Sequence, residues 1–345
     1  MAETAANPAR PRIGRWAAVG AWFLAASCSP ATTPSTVPAE ATASPAVPEP
    51  EPEPDNGLVL PTSFEADRIF VELKTAKGES LRLFTDTGGG LYLHHTVVEK
   101  FGLPLEAARG EGDEAIEVVA LPELDPSTPM PPVLVLDGRL PVARETPFGE
   151  IFGEGMLGQG WFRDRVWSID YAGETLVLHD ESQTCYGSRL PLGFAEYEGR
   201  RTAHYPRVQV TIDGQVHHLL FDTGATVLLT EPGLQGLNDG GPTERATSFI
   251  VRSIFERWRA AHPDWRVIEG ADRMAGDPMI EVPFIRLGEQ EVGPVWFTAR
   301  EDPNFHEFMS QWMDREIDGA LGGSALSYLY VTLDYPRAEV CLRPN

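Results

Sequence analysis

Apolar positions along the chain fall into short clusters rather than long stripes. "IFVEL" (Ile69 to Leu73) and "LRLF" (Leu81 to Phe84) flank a turn at Gly78, and "VQVTI" (Val208 to Ile212) and "HHLLF" (His217 to Phe221) flank Asp213-Gly214. Short apolar runs bounded by Gly, Pro and Asp predict strands, and Asp-Gly is a strong hairpin turn. Helical spacing is rarer. Within Glu244–Trp265, the apolar residues Phe249, Ile250, Ile254, Phe255 and Trp258 predict a helix that Pro263 ends. This helix either packs on its own half of the chain or covers a cleft. Shorter helices are expected over His95–Gly102 and Pro303–Arg315. The pattern predicts a mainly β protein built from barrel-like or sandwich units.

The same pattern occurs twice. Asp86 and Asp222 are 136 residues apart, each at the end of an apolar run, and Gly78 and Gly214 each precede the acid by eight residues. The alternation of the leading strand is shifted by one residue between the copies, which predicts different turns. Further on, "GMLGQGWFRDRVWSIDYAGETLVL" (Gly155 to Leu178) aligns without a gap to "GALGGSALSYLYVTLDYPRAEVCL" (Gly319 to Leu342) at an offset of 164. The second copy is thus 28 residues longer, and the helical stretch Glu244–Trp265 is where the excess is expected.

An ionised carboxylate in an apolar strand is costly unless it is paired or hydrogen-bonded. Each copy places Asp-Thr-Gly there: Asp86-Thr87-Gly88 and Asp222-Thr223-Gly224. The glycines allow a sharp turn that brings backbone N–H groups to the acid, and the threonines can bond across to the opposite loop. If a two-fold axis relates the copies, the two acids meet on it. Two carboxylates in contact share one proton, so the ionised member can activate a water while the protonated one donates to a carbonyl. Such chemistry needs neither metal nor cofactor.

"TDTGGG" and "FDTGAT" resemble the active-site motif of aspartic proteases of the retropepsin and pepsin type. "GMLG" (Gly155 to Gly158) and "GALG" (Gly319 to Gly322) resemble the hydrophobic-hydrophobic-Gly element of that family, and the trailing segments resemble its closing strands. The resemblance spans about Phe70 to Leu342. It implies a bilobal acid-protease fold, with lobes over 58–185 and 186–345 and a helical insertion in the second. It also implies a cleft for an extended peptide, catalytic Asp86 and Asp222, and supporting Thr87, Gly88, Thr223 and Gly224. Both acids come from one chain, so a monomer suffices. Gly89 stands where the family has Ser, Thr or Ala, and Thr85 replaces an apolar residue. A tyrosine-bearing flap hairpin is not evident; Glu106–Leu140 is the place for one. These departures keep a second expectation open, a non-catalytic envelope peptide-binding protein on the same scaffold.

Other signals are weaker. "GEGMLG" (Gly153 to Gly158) fits a dinucleotide fingerprint only by chance, since no helix pattern or suitably spaced acid follows. The pairs His94-His95 and His217-His218 lack metal-site spacing, because neighbours on a strand point to opposite faces. No GxSxG occurs. Trp258, Trp265, Trp296 and Trp312 suit a core or an apolar cleft wall.

Composition changes the picture at the ends of the chain. The 345 residues carry 51 acids against 28 bases, a net charge of −23, which argues against nucleic acid or an anionic membrane surface as partner. Arg10, Arg12 and Arg15 precede an apolar run, Trp16 to Ala26, too short to span a bilayer comfortably, and "LAASC" ends at Cys28. This resembles a bacterial lipoprotein signal over residues 1–28, with Leu24 four residues before the cysteine where three is usual. Cys28 would then anchor the protein to a membrane; ordinary signal cleavage is the other reading, and both export the chain to the cell envelope or periplasm. Residues 29–57, Pro-rich and aperiodic, read as a solvated spacer. Cys185 and Cys341 are either a disulfide or two buried thiols.

Overall fold

The computed structural model describes residues 57–110, 115–144 and 149–345. The leader, Cys28 and the spacer up to residue 56 lie outside the described residues.

Both hairpins form where the alternation places them. Arg68–Lys74 pairs antiparallel with Ser80–Thr85, and Arg207–Ile212 with Gln215–Phe221. The turns differ, as the shifted phase implies. Asp213 and Gly214, at φ 50° and 70°, close the second hairpin between Ile212 and Gln215; Asp and Gly are the residues that tolerate this left-handed geometry. The first hairpin turns over residues 75–79, where the Thr75 N–H donates to the Glu79 carbonyl.

Each acid-bearing strand then takes a short strand of its own copy in parallel: Ser80–Thr85 beside Gly155–Leu157, and Gln215–Phe221 beside Gly319–Leu321. The first pair lies inside an eight-stranded sheet, the second inside a nine-stranded one. A third, six-stranded sheet joins the copies. In it Val166–Asp170 runs antiparallel to Leu329–Asp334, with Ser168 opposite Thr332 and their hydroxyls 3.1 Å apart. These two residues are equivalent in the repeat, so a local two-fold axis passes between them. One apolar core draws on both copies, from Ile69 and Trp161 to Phe221 and Leu342.

The protein is mainly β with short helices, but among the described residues the sheets do not close into barrels. Closure requires the first and last strands to bond edge to edge. In the eight-stranded sheet these are Thr62–Glu65 and Glu106–Arg109, and each has a single strand partner, Arg68–Lys74 and Ala115–Val119 respectively.

The second-copy insertion also differs from expectation. Only Arg252–Ala261 is helical; Glu244–Ala246 and Ser248–Val251 are strands, so Phe249 and Ile250 belong to a sheet. The helix buries Ile254, Phe255 and Trp258 and packs on its own sheet, with Trp258 5.5 Å from Phe297. It has a counterpart in the first copy. Leu91–His94 runs antiparallel to Gly155–Leu157 and leads into the helix His95–Phe101, just as Ser248–Val251 runs antiparallel to Gly319–Leu321 and leads into Arg252–Ala261. Leu93 (opposite Gly155) and Ile250 (opposite Gly319) are 157 residues apart, against 136 for the two acids. The greater part of the excess therefore lies between Asp222 and Ser248, in the strand pair Thr226–Leu228 and Glu244–Ala246 and the helix Glu231–Leu237. Apolar spacing pointed to the helix because it is the most periodic piece of the region. The remaining helical expectation, Pro303–Arg315, is met by a wide turn over Asn304–Phe308 and a tight one over Met309–Trp312.

Cys185 and Cys341 form a disulfide, with Cα atoms 5.6 Å apart and a sequence separation of 156. It ties the segment after the first copy to the last strand. A cross-link closing so long a loop restricts the unfolded chain, so replacing both cysteines by serine is expected to cost about 2–4 kcal/mol. Urea unfolding of the oxidised protein and the double variant measures this; equal midpoints would contradict it. Among the described residues, no helix is long and apolar enough to cross a membrane.

Candidate active site

The two acids are held by identical backbone devices. As each apolar strand ends, the Asp86 N–H donates to the Leu157 carbonyl (3.1 Å) and the Asp222 N–H to the Leu321 carbonyl (2.9 Å). The chain then turns, so that the Gly88 N–H donates to Asp86 Oδ1 at 2.8 Å and the Gly224 N–H to Asp222 Oδ1 at 3.0 Å. The glycines are required by close approach. A Cβ on Gly88 would sit 2.6 Å from the Asp222 carboxyl carbon, and one on Gly224 would overlap the Asp86 carboxyl. Each loop thus backs the acid of the other.

The threonines lock the loops together. Thr87 Oγ1 donates to the Phe221 carbonyl at 2.6 Å and accepts from the Thr223 N–H at 3.0 Å, while the Thr87 N–H donates to Thr223 Oγ1 at 3.1 Å. Both threonines are fully buried. Thr87→Val would leave the Thr223 N–H and the Phe221 carbonyl without these partners, at an expected cost of about 2 kcal/mol. Thr87→Ser keeps the hydroxyl and is the control. Denaturant midpoints compare the two; an equal loss in both would remove the hydroxyl from the account.

All six loop residues singled out in the sequence therefore come together, and the carboxyl groups of Asp86 and Asp222 lie close enough for each to alter the other's proton affinity. Both are buried. Burial raises the proton affinity of each, and the neighbouring Asp222 raises that of Asp86 further. The backbone N–H donors work in the opposite sense but do not cancel burial. The pair thus retains a proton well above the ordinary carboxylate range.

The departures at Thr85 and Gly89 have local causes. Thr85 is fully buried, yet its hydroxyl donates to the Ile69 carbonyl at 3.0 Å, so no polar atom is orphaned. A Cβ on Gly89 would overlap Asp86 Oδ2 and lie 2.7 Å from Met156 Sδ. The acid's outer oxygen occupies the space a side chain would take. Ala225 is the equivalent residue in the second copy, so neither loop offers a hydroxyl there.

Sequence reasoning missed three tyrosines and a hairpin. Tyr92 lies close enough to Asp86 that burial and that acid push its hydroxyl up to about 12. Tyr171 and Tyr335, equivalent at the offset of 164, are buried, and neither hydroxyl has a hydrogen-bond partner. Burial raises both; Asp67 and then Asp222 add to this at Tyr171, while at Tyr335 Arg201 opposes it and Asp86 adds to it. The matching "IDY" and "LDY" triplets were the available signal. The hairpin is Glu106–Arg109 with Ala115–Val119, inside the segment reserved for a flap; that segment has no tyrosine. The histidine pairs are otherwise engaged: His217 Nδ1 meets Asp318 at 2.8 Å, and the His218 ring lies between Arg207 and Arg315. Among the described residues, no three His, Cys, Asp or Glu side chains converge as a metal site.

No protein-family model matches the chain, and no curated protein matches it. Among solved structures it is similar to conglutin gamma, a basic 7S globulin from lupine seeds. The two are 12% identical over 86% of this chain and 96% of that one, with a TM-score of 0.42. A likeness at that level says nothing about activity.

Proposed function

We propose that the protein is a single-chain aspartic endopeptidase of the retropepsin and pepsin type, with two lobes and an extended peptide bound in the cleft between them. The observation that carries this reading is the adjacent, buried pair Asp86 and Asp222, contributed by equivalent positions of a repeat and held by loops that bond to each other. With one proton on the pair, the ionised carboxylate takes a proton from water as that water attacks the scissile carbonyl. The protonated carboxyl donates to the carbonyl oxygen, and proton return to the amine releases the products. One proton must stay on the pair, so activity belongs to the acid-to-neutral range.

The rival reading is a peptide-binding protein without activity, favoured by Gly89 and Thr85 at the first site and by the absence of a tyrosine from residues 106–140. Incubating the purified protein with an unfolded protein across pH, beside Asp86→Asn and Asp222→Asn, separates the two. Cleavage by the parent alone supports the peptidase. No cleavage at any pH supports the binder.

We further propose that the chain is exported, either lipid-anchored through Cys28 or released by ordinary signal cleavage. The Cys185–Cys341 disulfide supports an oxidising compartment. A fatty-acid label that is present on the parent and absent from Cys28→Ala would favour the anchor.

A further inference from the structure

A cavity of about 530 Å³ opens beside the Asp86 loop. Gly90 and Leu91, which continue directly from that loop, form one wall, and Ile116 of the hairpin lines it as well. Gln159, also a lining residue, ties it to the loop: its N–H donates to the Gly89 carbonyl at 3.0 Å. The cavity therefore adjoins the chain that leads out of the Asp86 loop.

Its charge is opposite to that of the chain. In a protein of net charge −23, Arg109, Arg163 and Arg201 all line this space, and no Asp or Glu does among the described residues. The fourth basic side chain, His204, is buried: burial first, then Arg163 and Arg201, lower it to about 4 against the opposing pull of Asp164, 3.9 Å from its Nε2. Two of the arginines are held in place from behind. Arg201 donates from one terminal nitrogen to the Tyr335 carbonyl at 2.6 Å, and its guanidinium stacks 4.2 Å from the Phe194 ring centre. Arg163 bonds the exposed carboxylate of its neighbour Asp164 through Nε at 2.9 Å. Both arginines keep terminal N–H groups beyond these bonds. A planar fork of donors fixed in this way suits a carboxylate.

We propose that this cavity is the subsite that selects an acidic residue of the substrate, seating a Glu or Asp carboxylate against the terminal N–H groups of Arg163 and Arg201. The proposal rests on the peptidase reading for its readout but not for its geometry. The peptide beyond the scissile bond supplies the side chain, while the apolar wall of Leu91, Ile116 and Val135 packs its methylene groups.

The test uses peptides built around a cleavage site mapped by mass spectrometry and differing only by Glu, Gln or Lys at each flanking position. It is run near about pH 6, where Glu is ionised. One position is expected to favour Glu over Gln about tenfold or more in kcat/KM, the size of one or two charge-assisted hydrogen bonds. Arg163→Gln and Arg201→Gln should each bring that ratio towards one, and Arg163→Glu should turn the preference to Lys. Arg163→Gln stands independently if loss of the Tyr335 contact unfolds Arg201→Gln. Cleavage by the parent with equal rates for Glu and Gln at every position overturns the subsite and leaves the peptidase standing. If the parent cleaves nothing, the hydrolytic reading fails, and binding of the same fluorescent peptides decides the cavity. Salt-sensitive preference for Glu that is lost in Arg163→Gln supports it; equal binding of Glu and Gln overturns it.

Discussion

Asp86→Asn and Asp222→Asn are each expected to reduce peptide cleavage about a thousandfold or more, while making the protein more stable at neutral pH. The first effect follows from the division of labour: the pair acts as base and acid in one step, and an amide can do neither. The second follows from burial. Each carboxyl holds its proton more tightly in the folded chain than at its ordinary value of 3.8. A group of that kind contributes its full stability below the unfolded value and loses it as pH rises through the folded value. The parent should therefore weaken from about pH 4 upwards by about 1.4 kcal/mol per pH unit for each proton released, up to the pH at which the folded pair gives up its proton. In Asp86→Asn the amide stands in for the protonated acid and donates to the remaining carboxylate, so this slope is largely removed. Urea midpoints at several pH values, measured for parent and variant, check the claim. A parent that is equally stable at pH 4 and pH 7, or a variant with the same slope, would show that the pair does not share a buried proton.

The second large effect is expected at Gly322. This residue follows the strand Gly319–Leu321, whose Leu321 carbonyl accepts the Asp222 N–H. A Cβ there would overlap the Thr247 carbonyl and sit 2.7 Å from the Ala225 methyl. Neither neighbour is the far end of a flexible side chain, so the strand itself must move. Gly322→Val is expected to cost about 4 kcal/mol or more and to abolish activity in whatever folds. The equivalent Gly158 is crowded by the Gly89 and Gly90 carbonyls in the same way. Thermal unfolding and near-UV circular dichroism report the outcome. A fully stable and active Gly322→Val would mean that the strand and the acid loop are not packed as described.

Much of the site was legible because its parts are short and local. A Gly turn, an apolar strand and Asp-Thr-Gly lie within a few residues of each other, and the duplication places the two copies in register. The insertion was misplaced for a related reason. Arg252–Ala261 has the strongest helical period of its region, yet it answers to His95–Phe101 in the first copy. The true excess is a strand pair and a helix too brief to announce themselves. Whether the sheets are barrel-like or open was left undecided by the sequence, because alternation sets which face of a strand is buried and says nothing about whether edges meet.

By itself the sequence determined the strands, the paired acid loops and the glycines that let them turn, since these depend on neighbours along the chain. Only the tertiary structure decided that the Asp86 and Asp222 carboxyls are buried side by side, that Oδ2 of Asp86 fills the place of a side chain at Gly89, that the Tyr171 and Tyr335 hydroxyls are buried without a hydrogen-bond partner, and that Arg109, Arg163 and Arg201 line one cavity. Those facts rest on contacts between residues tens to more than a hundred positions apart. Their energies come from burial and mutual distance, which appear only once the sheets have packed.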